Sequence, residues 1–271
     1  MVDLFTGEFE VLATDQKECD VTRATDCRRV IEGYRPDIVL HCAAYTAVDK
    51  AEAEEDRATA VNRDGTRNVA CECRGHGALL VTFGTDYIFD GSSTLPYVED
   101  DPARPLSAYG RSKWAAEEAL RAEMPEYLLI RSQWLFGPHG RNFVFAVLER
   151  AGRGEPLRVV SDQRGCPTYA RDLATATRRL LEAGARGTFH YSSAGETTWY
   201  EFAAFLLEHA FPEPVSLEPV RSAELPYPAP RPAYSVLSKE KYRRVTGDTP
   251  RRWEDAVLEF LKTSYGRRID R

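Results

Sequence analysis

Three short apolar runs, separated by segments long enough to be helices, constrain the fold more than any other feature of this chain. They are Asp37-Ile38-Val39-Leu40-His41, Leu79-Leu80-Val81-Thr82-Phe83 and the stretch over residues 127–131. A continuous apolar run of this length reads as a strand buried on both faces, because an alternating pattern would leave one face wet. Helical segments are predicted near residues 27–34, ended by Arg35-Pro36, over residues 56–76, closed by Gly75 and Gly77, and over residues 109–123. An additional short strand is predicted over residues 10–13. Strand and helix in alternation imply right-handed crossovers and a parallel sheet covered on both sides. The expected fold class is therefore α/β, a Rossmann-like doubly wound parallel sheet, with a smaller C-terminal substrate-binding lobe.

Sheets of this kind bind ligands beyond the carboxyl ends of their strands. The loops after His41, Phe83 and Arg131 should line one cleft, which singles out Tyr45, Thr85 and Trp134. The last third has shorter elements: strands near residues 157–160 and 188–191, and helices near residues 172–183, 199–209 and 252–262. Thr198 is a candidate cap for the second of these helices, and the Pro-rich stretch over residues 212–232 reads as an extended loop. A boundary near residue 140 divides a dinucleotide-binding domain, residues 1–140, from a mainly substrate-binding lobe, residues 141–271, part of which can return to the main sheet.

Within the helix expected at residues 109–123, Tyr109 and Lys113 are four apart and share a face. A neighbouring ammonium favours phenolate and lowers a Tyr pKa, which suits a phenol that protonates a carbonyl oxygen as hydride reaches the carbon. The spacing alone also fits an ordinary amphipathic surface helix. Composition narrows the field: 36 Lys plus Arg against 42 Asp plus Glu give a net charge of −6, which disfavours nucleic acid or an anionic membrane as the main partner. No apolar run is long enough to span a bilayer and no signal-peptide pattern opens the chain, so the expected address is the cytoplasm. The six cysteines are scattered, without Cys-x-x-Cys pairs, and read as free thiols.

The segments at the strand ends, taken in order, are more specific. They read Ala43-Ala44-Tyr45-Thr46-Ala47-Val48-Asp49-Lys50-Ala51-Glu52, Gly84-Thr85-Asp86-Tyr87-Ile88-Phe89-Asp90-Gly91, Tyr109-Gly110-Arg111-Ser112-Lys113 and Arg131-Ser132-Gln133-Trp134-Leu135-Phe136-Gly137. They continue with Gly140-Arg141-Asn142-Phe143-Val144, Asp162-Gln163-Arg164-Gly165-Cys166-Pro167-Thr168 and Arg231-Pro232-Ala233-Tyr234-Ser235. Together they resemble the dTDP-4-dehydrorhamnose reductases, extended short-chain dehydrogenases/reductases, over nearly the whole chain. The resemblance implies NAD(P)H-dependent reduction of the C4 keto group of dTDP-4-dehydro-L-rhamnose. Tyr109 would be the general acid, Lys113 would lower its pKa and bind the nicotinamide ribose, and Thr85 would hold the keto oxygen.

For the cofactor, NADPH or NADH, the resemblance points to Ala43, Ala44 and Tyr45 at a strand end and to Asp20 and Val21 beside the adenine. Asp15 either binds the adenosine ribose or is a turn residue. Asp86 and Tyr87 would contact the sugar, and Asn142, Arg231 and Tyr234 the nucleotide. Trp134 either flanks the sugar or base, or is a core aromatic; Arg231 either binds the diphosphate or makes a surface ion pair. The resemblance leaves room for a homodimer and for a divalent metal, neither assigned to residues. Two alternative functions keep the fold: a 4-ketoreductase of another dTDP-deoxysugar, and a non-catalytic regulatory homologue that binds nucleotide.

The chain departs from the family pattern at its start. Met1-Val2-Asp3-Leu4-Phe5-Thr6-Gly7 stands where the family has the end of its first helix. A strand and a Gly-x-x-Gly-x-x-Gly turn, about a dozen residues in all, are expected ahead of it. A start codon placed too late, a fragment or a degenerate homologue would each produce this, and the intact catalytic set favours the first. The chain as written is expected to bind cofactor weakly or not at all. Gly84, where the family usually has Ser, is a smaller departure.

Overall fold

In a computed structural model, which describes residues 1–265, the three apolar runs become parallel neighbours. Strands β1 (Ile38–His41), β2 (Leu79–Thr85) and β3 (Tyr127–Ser132) are followed by short β4 (Leu135–Phe136), β5 (Leu157–Val160), β6 (Arg164–Gly165) and β7 (Thr168–Tyr169). Then come β8 (Gly187–His190), β9 (Thr197–Thr198) and β10 (Leu217–Val220). The main sheet is four-stranded in the order β1-β2-β3-β8, all parallel. The later part of the chain thus returns a strand, β8, to the main sheet.

Eleven α-helices cover these strands among the described residues. They are α1 (Val2–Phe5), α2 (Ala24–Tyr34), α3 (Val48–Ala51), α4 (Glu55–Thr59), α5 (Gly65–His76), α6 (Ala108–Glu123), α7 (Phe143–Gly152), α8 (Ala170–Glu182), α9 (Trp199–Ala210), α10 (Glu240–Thr246) and α11 (Trp253–Phe260). Side chains of the sheet alternate between faces, as the two-residue strand period requires. Leu80 and Leu129 pack with Cys27 and Ile31 of α2, Val69 and Cys73 of α5 and Leu120 of α6. Val81, Leu128 and Ile130 pack on the opposite side with Leu173 and Leu180 of α8 and Tyr242 of α10. A separate apolar core gathers Phe136, Val144 and Leu148 with Phe202 of α9 and Trp253 and Phe260 of α11. The architecture is α/β and Rossmann-like.

Three expectations need correction. Residues 10–13 form no strand: Val11 and Leu12 are exposed and the segment joins no ladder, and an isolated strand has nothing to satisfy its backbone groups. The helix expected over residues 56–76 is interrupted by a π-helical turn, Ala60–Asp64, between α4 and α5. The Pro-rich stretch is not all loop, because Leu217–Val220 pairs in parallel with Leu157–Val160. Thr198 does cap α9, in a capping box with Glu201.

Candidate active site

The carboxyl end of β2 and the first turns of α6 meet at one place. Thr85 is the last residue of β2, lies opposite Ser132 of β3 and is 5% exposed. Its hydroxyl donates to Asp86 Oδ1 at 3.1 Å and accepts from the Tyr87 N–H at 3.2 Å, which starts a short 3-10 turn. Helix α6 begins beside it with its end groups satisfied twice. Ser107 Oγ accepts from the Gly110 N–H at 3.1 Å, and Glu52 Oε1 accepts from the Ala108 N–H at 2.7 Å. Gly110 has no room for a Cβ, which would strike the Tyr87 carbonyl oxygen. That close approach brings Tyr109 against the turn after Thr85.

Tyr109 lies within hydrogen-bonding reach of Thr85, and its ring meets Tyr87 edge-on at 5.6 Å. Burial pushes the Tyr109 phenol up to about 12, opposed by the Thr85 hydrogen bond and reinforced by the Asp86 charge. The net shift is upward and set by desolvation, against the expectation of a phenol lowered by Lys113. The phenol therefore stays protonated at neutral pH, ready to donate. Lys113 is 7% exposed and donates to the Phe83 carbonyl at 2.7 Å. Burial lowers its pKa to about 8, with Glu117 raising it in opposition. Asp86, 2% exposed, is raised to about 6 by burial, against hydrogen bonds from Ser235 and Thr85.

The fold and this cluster have counterparts among known proteins. The family described as RmlD substrate binding domain matches residues 2–265. The chain belongs to this dTDP-4-dehydrorhamnose reductase family. A dTDP-4-dehydrorhamnose reductase of Sinorhizobium fredii is 37% identical over 264 residues, spanning 94% of this chain and 89% of that protein. A probable dTDP-4,6-dihydroxy-2-methyloxan-3-one 4-ketoreductase of Streptomyces antibioticus is 40% identical over 259 residues, spanning 94% of this chain and 88% of that protein. The solved structure of dTDP-4-dehydrorhamnose reductase from Bacillus anthracis in complex with NADP has a TM-score of 0.92 at 35% identity, covering 95% of this chain and 91% of that one. The family is one of oxidoreductases.

The other residues singled out from the sequence fall into two groups in this reductase fold. Tyr87 meets the Tyr109 ring, Tyr45 shares its alanine contacts, and Arg231 reaches Tyr87. Tyr45 and Tyr109 pack against Ala51, Ala58 and Ala108, and Ala43 and Ala44 lead into Tyr45 from the end of β1. Arg231 interacts with Tyr87, donates to Asp49 Oδ2 at 2.8 Å and to the Ala229 carbonyl at 2.9 Å, and lies over the Tyr227 ring. The second group is held by local contacts. Asp15 is exposed and accepts from the Lys17 and Glu18 N–H groups. Asp20 accepts from Thr22, and Val21 packs against Gly65 at the start of α5. Asn142 caps α7 and donates to the Gly137 carbonyl at 2.9 Å. Tyr234 donates to Glu196 at 3.3 Å. Trp134 adopts φ +46° and stacks on Trp199 at 3.7 Å, with Gly165 close against its ring. Among the described residues, no group of three or more His, Cys, Asp or Glu side chains is placed to hold a metal ion. No helix among them is long and apolar enough to cross a membrane.

Sequence reasoning missed several residues that hold this site together. Asn62, 1% exposed and inside the π-helical turn, pairs with both backbone groups of Tyr45 and donates to Ser112 Oγ at 2.8 Å. Ser112 in turn donates to the Tyr109 carbonyl. A polar residue in an otherwise helical stretch gave only a weak signal, although π-turns often mark functional sites. Glu52, within the segment after β1, accepts from the first N–H of α6 and so caps that helix.

The Gly84 departure also has a physical cause. A Cβ there would sit 2.7 Å from Arg131 Cγ and 2.9 Å from Glu117 Oε1. Gly84→Ser is therefore expected to lower stability by about 1–3 kcal/mol, the usual penalty for overpacking. Urea unfolding measures this, and an unchanged midpoint would show that the Arg131 and Glu117 side chains move aside freely.

Proposed function

We propose that this protein reduces the C4 keto group of dTDP-4-dehydro-L-rhamnose to dTDP-L-rhamnose with NADPH or NADH, Tyr109 acting as general acid. The observation that carries this reading is the convergence of Thr85, Tyr109 and Lys113 at the end of β2 and the start of α6. The residues present suit a nicotinamide cofactor. Lys113 offers a buried ammonium with donors beyond the one used by Phe83, and the small side chains of Ala43 and Ala44 leave the backbone after β1 approachable. When bound, the cofactor supplies a hydride to the keto carbon.

The chain's own residues do the rest. The Thr85 hydroxyl turns toward the keto oxygen and holds it near Tyr109. Tyr109 gives its phenolic proton to that oxygen as negative charge develops there, and the Lys113 ammonium stabilises the phenolate left behind. Asp86 and Tyr87 receive the sugar, while Trp134, Asn142 and Tyr234 border the nucleotide. Arg231 exchanges Asp49 for the diphosphate, whose two charged oxygens suit the guanidinium fork. Asp15, Asp20 and Val21 border the adenosine end of the cofactor.

Cofactor oxidation monitored with the dTDP-4-keto sugar tests the reading, and NMR of the product identifies the sugar and its C4 configuration. A product other than the rhamnose configuration would reassign the substrate to another dTDP-deoxysugar.

A pH profile gives a second test. Lys113 is charged below about 8 and neutral above it, whereas Tyr109 stays protonated until about 12. The rate constant kcat/KM, which reports the free enzyme, should fall as pH rises through about 8. The limb belongs to Lys113 and should move or vanish in Lys113→Arg; an identical limb in that variant would remove Lys113 from the chemistry.

A further inference from the structure

Helix α6 carries a further polar residue, a buried one, on the face of Tyr109 and Lys113. Glu117 follows Lys113 by one helical turn and is 2% exposed. It is held firmly. Arg131, also 2% exposed, reaches its two oxygens through Nε at 3.0 and 3.2 Å and through Nη2 at 2.8 Å. Arg121 adds a contact at 2.8 Å. Arg131 is itself fixed by the Glu99 carbonyl at 2.9 Å and His190 Nε2 at 3.2 Å, with the Phe89 ring beneath its guanidinium. Burial and the Arg131 charge hold His190 well below the usual imidazole range, so its Nε2 accepts while Nδ1 donates to the Tyr97 carbonyl.

Glu117 and Lys113 both line a cavity of about 10 Å³, together with Thr66 and Thr82, and the Glu117 charge acts on Lys113. That is about the room of one water molecule. The other ionisable group facing Lys113 is His41 at the end of β1, which burial and the Lys113 charge lower to about 4 and so keep neutral at pH 7. Tyr109 lies one turn back on α6, with Asp86 beyond it. Glu117 is thus the fixed negative charge on the inner side of the ammonium.

We propose that Glu117, clamped by Arg131, is a positioning residue that shares this cavity with the Lys113 ammonium and holds that cation beneath Tyr109. The proposal rests on the reading of Tyr109 and Lys113 given above, yet its deciding readout needs neither substrate nor cofactor. The full chain is labelled with [ε-13C]lysine, and the Lys113 signal is assigned by its loss in Lys113→Arg. The signal is then followed against pH in the wild type, in Glu117→Gln and in Glu117→Gln/Arg131→Met. The double substitution removes both charges together and so avoids stranding a buried arginine.

Losing the Glu117 charge should lower the Lys113 midpoint by about one pH unit or more in the double variant. The basic limb of kcat/KM should move the same way. An unchanged or raised midpoint in the folded double variant overturns the proposal. So does a shift confined to Glu117→Gln, since it would trace to unpaired Arg131. Failure of turnover in every form with cofactor shown to be bound, the midpoint shift being present, would count against the reductase reading and leave the Lys113–Glu117 coupling standing.

Discussion

Replacing Tyr109 by Phe should lower kcat by about 10²–10⁴-fold, the range general acids supply. The fold should be untouched. The variant keeps the ring that packs on Ala51, Ala58 and Ala108 and meets Tyr87 edge-on at 5.6 Å, and loses only the hydroxyl. KM should move little, because the hydroxyl contributes most when charge develops on the oxygen. Single-turnover kinetics with cofactor and keto sugar separate the chemical step from binding. Turnover at the wild-type rate would show that the proton comes from elsewhere, with Asp86, raised to about 6 and adjacent to Thr85, the next group in line.

The second large effect is on stability. Removing one member of the Arg131–Glu117 pair, as in Arg131→Met, should cost about 3–5 kcal/mol, because the buried Glu117 would keep only its contact with the partly exposed Arg121. Substituting both, as in Glu117→Gln/Arg131→Met, should recover most of that loss. The contrast matters more than either value. Two singles that each destabilise strongly and a double near the wild type would give a coupling energy of large magnitude in the cycle. Additive losses would instead mean that each side chain matters through its own packing. Chemical denaturation of the four forms provides the numbers.

Much of this architecture was legible because burial on both faces leaves a mark on the sequence. Residues 79–83 and 127–131 could hardly be anything but inner strands, and β2 and β3 lie there, whereas the run at 37–41 is a strand, β1, at the edge of the described sheet with Ile38 exposed. Tyr109 and Lys113 were legible because a helix converts a four-residue spacing into a shared face. The illegible parts depend on partners distant in sequence. Residues 10–13 looked strand-like locally but join no ladder, whereas Leu217–Val220 looked like loop and pairs with β5 some sixty residues away. Glu117 and Arg131 were invisible as a pair for the same reason: a charged residue on a helix is normally solvated, and only the tertiary fold buries both. The direction of the Tyr109 shift was misread because spacing reports a neighbouring charge but not the water that burial removes.

The most direct test of the central claim follows the hydride. Reduction by NADPH or NADH carrying deuterium at the transferable position should place one deuterium at C4 of the dTDP-sugar for each cofactor oxidised, with transfer slowed as stated above in Tyr109→Phe. Cofactor oxidation that leaves C4 without deuterium, or labels another carbon, would contradict reduction of the C4 keto group at this site.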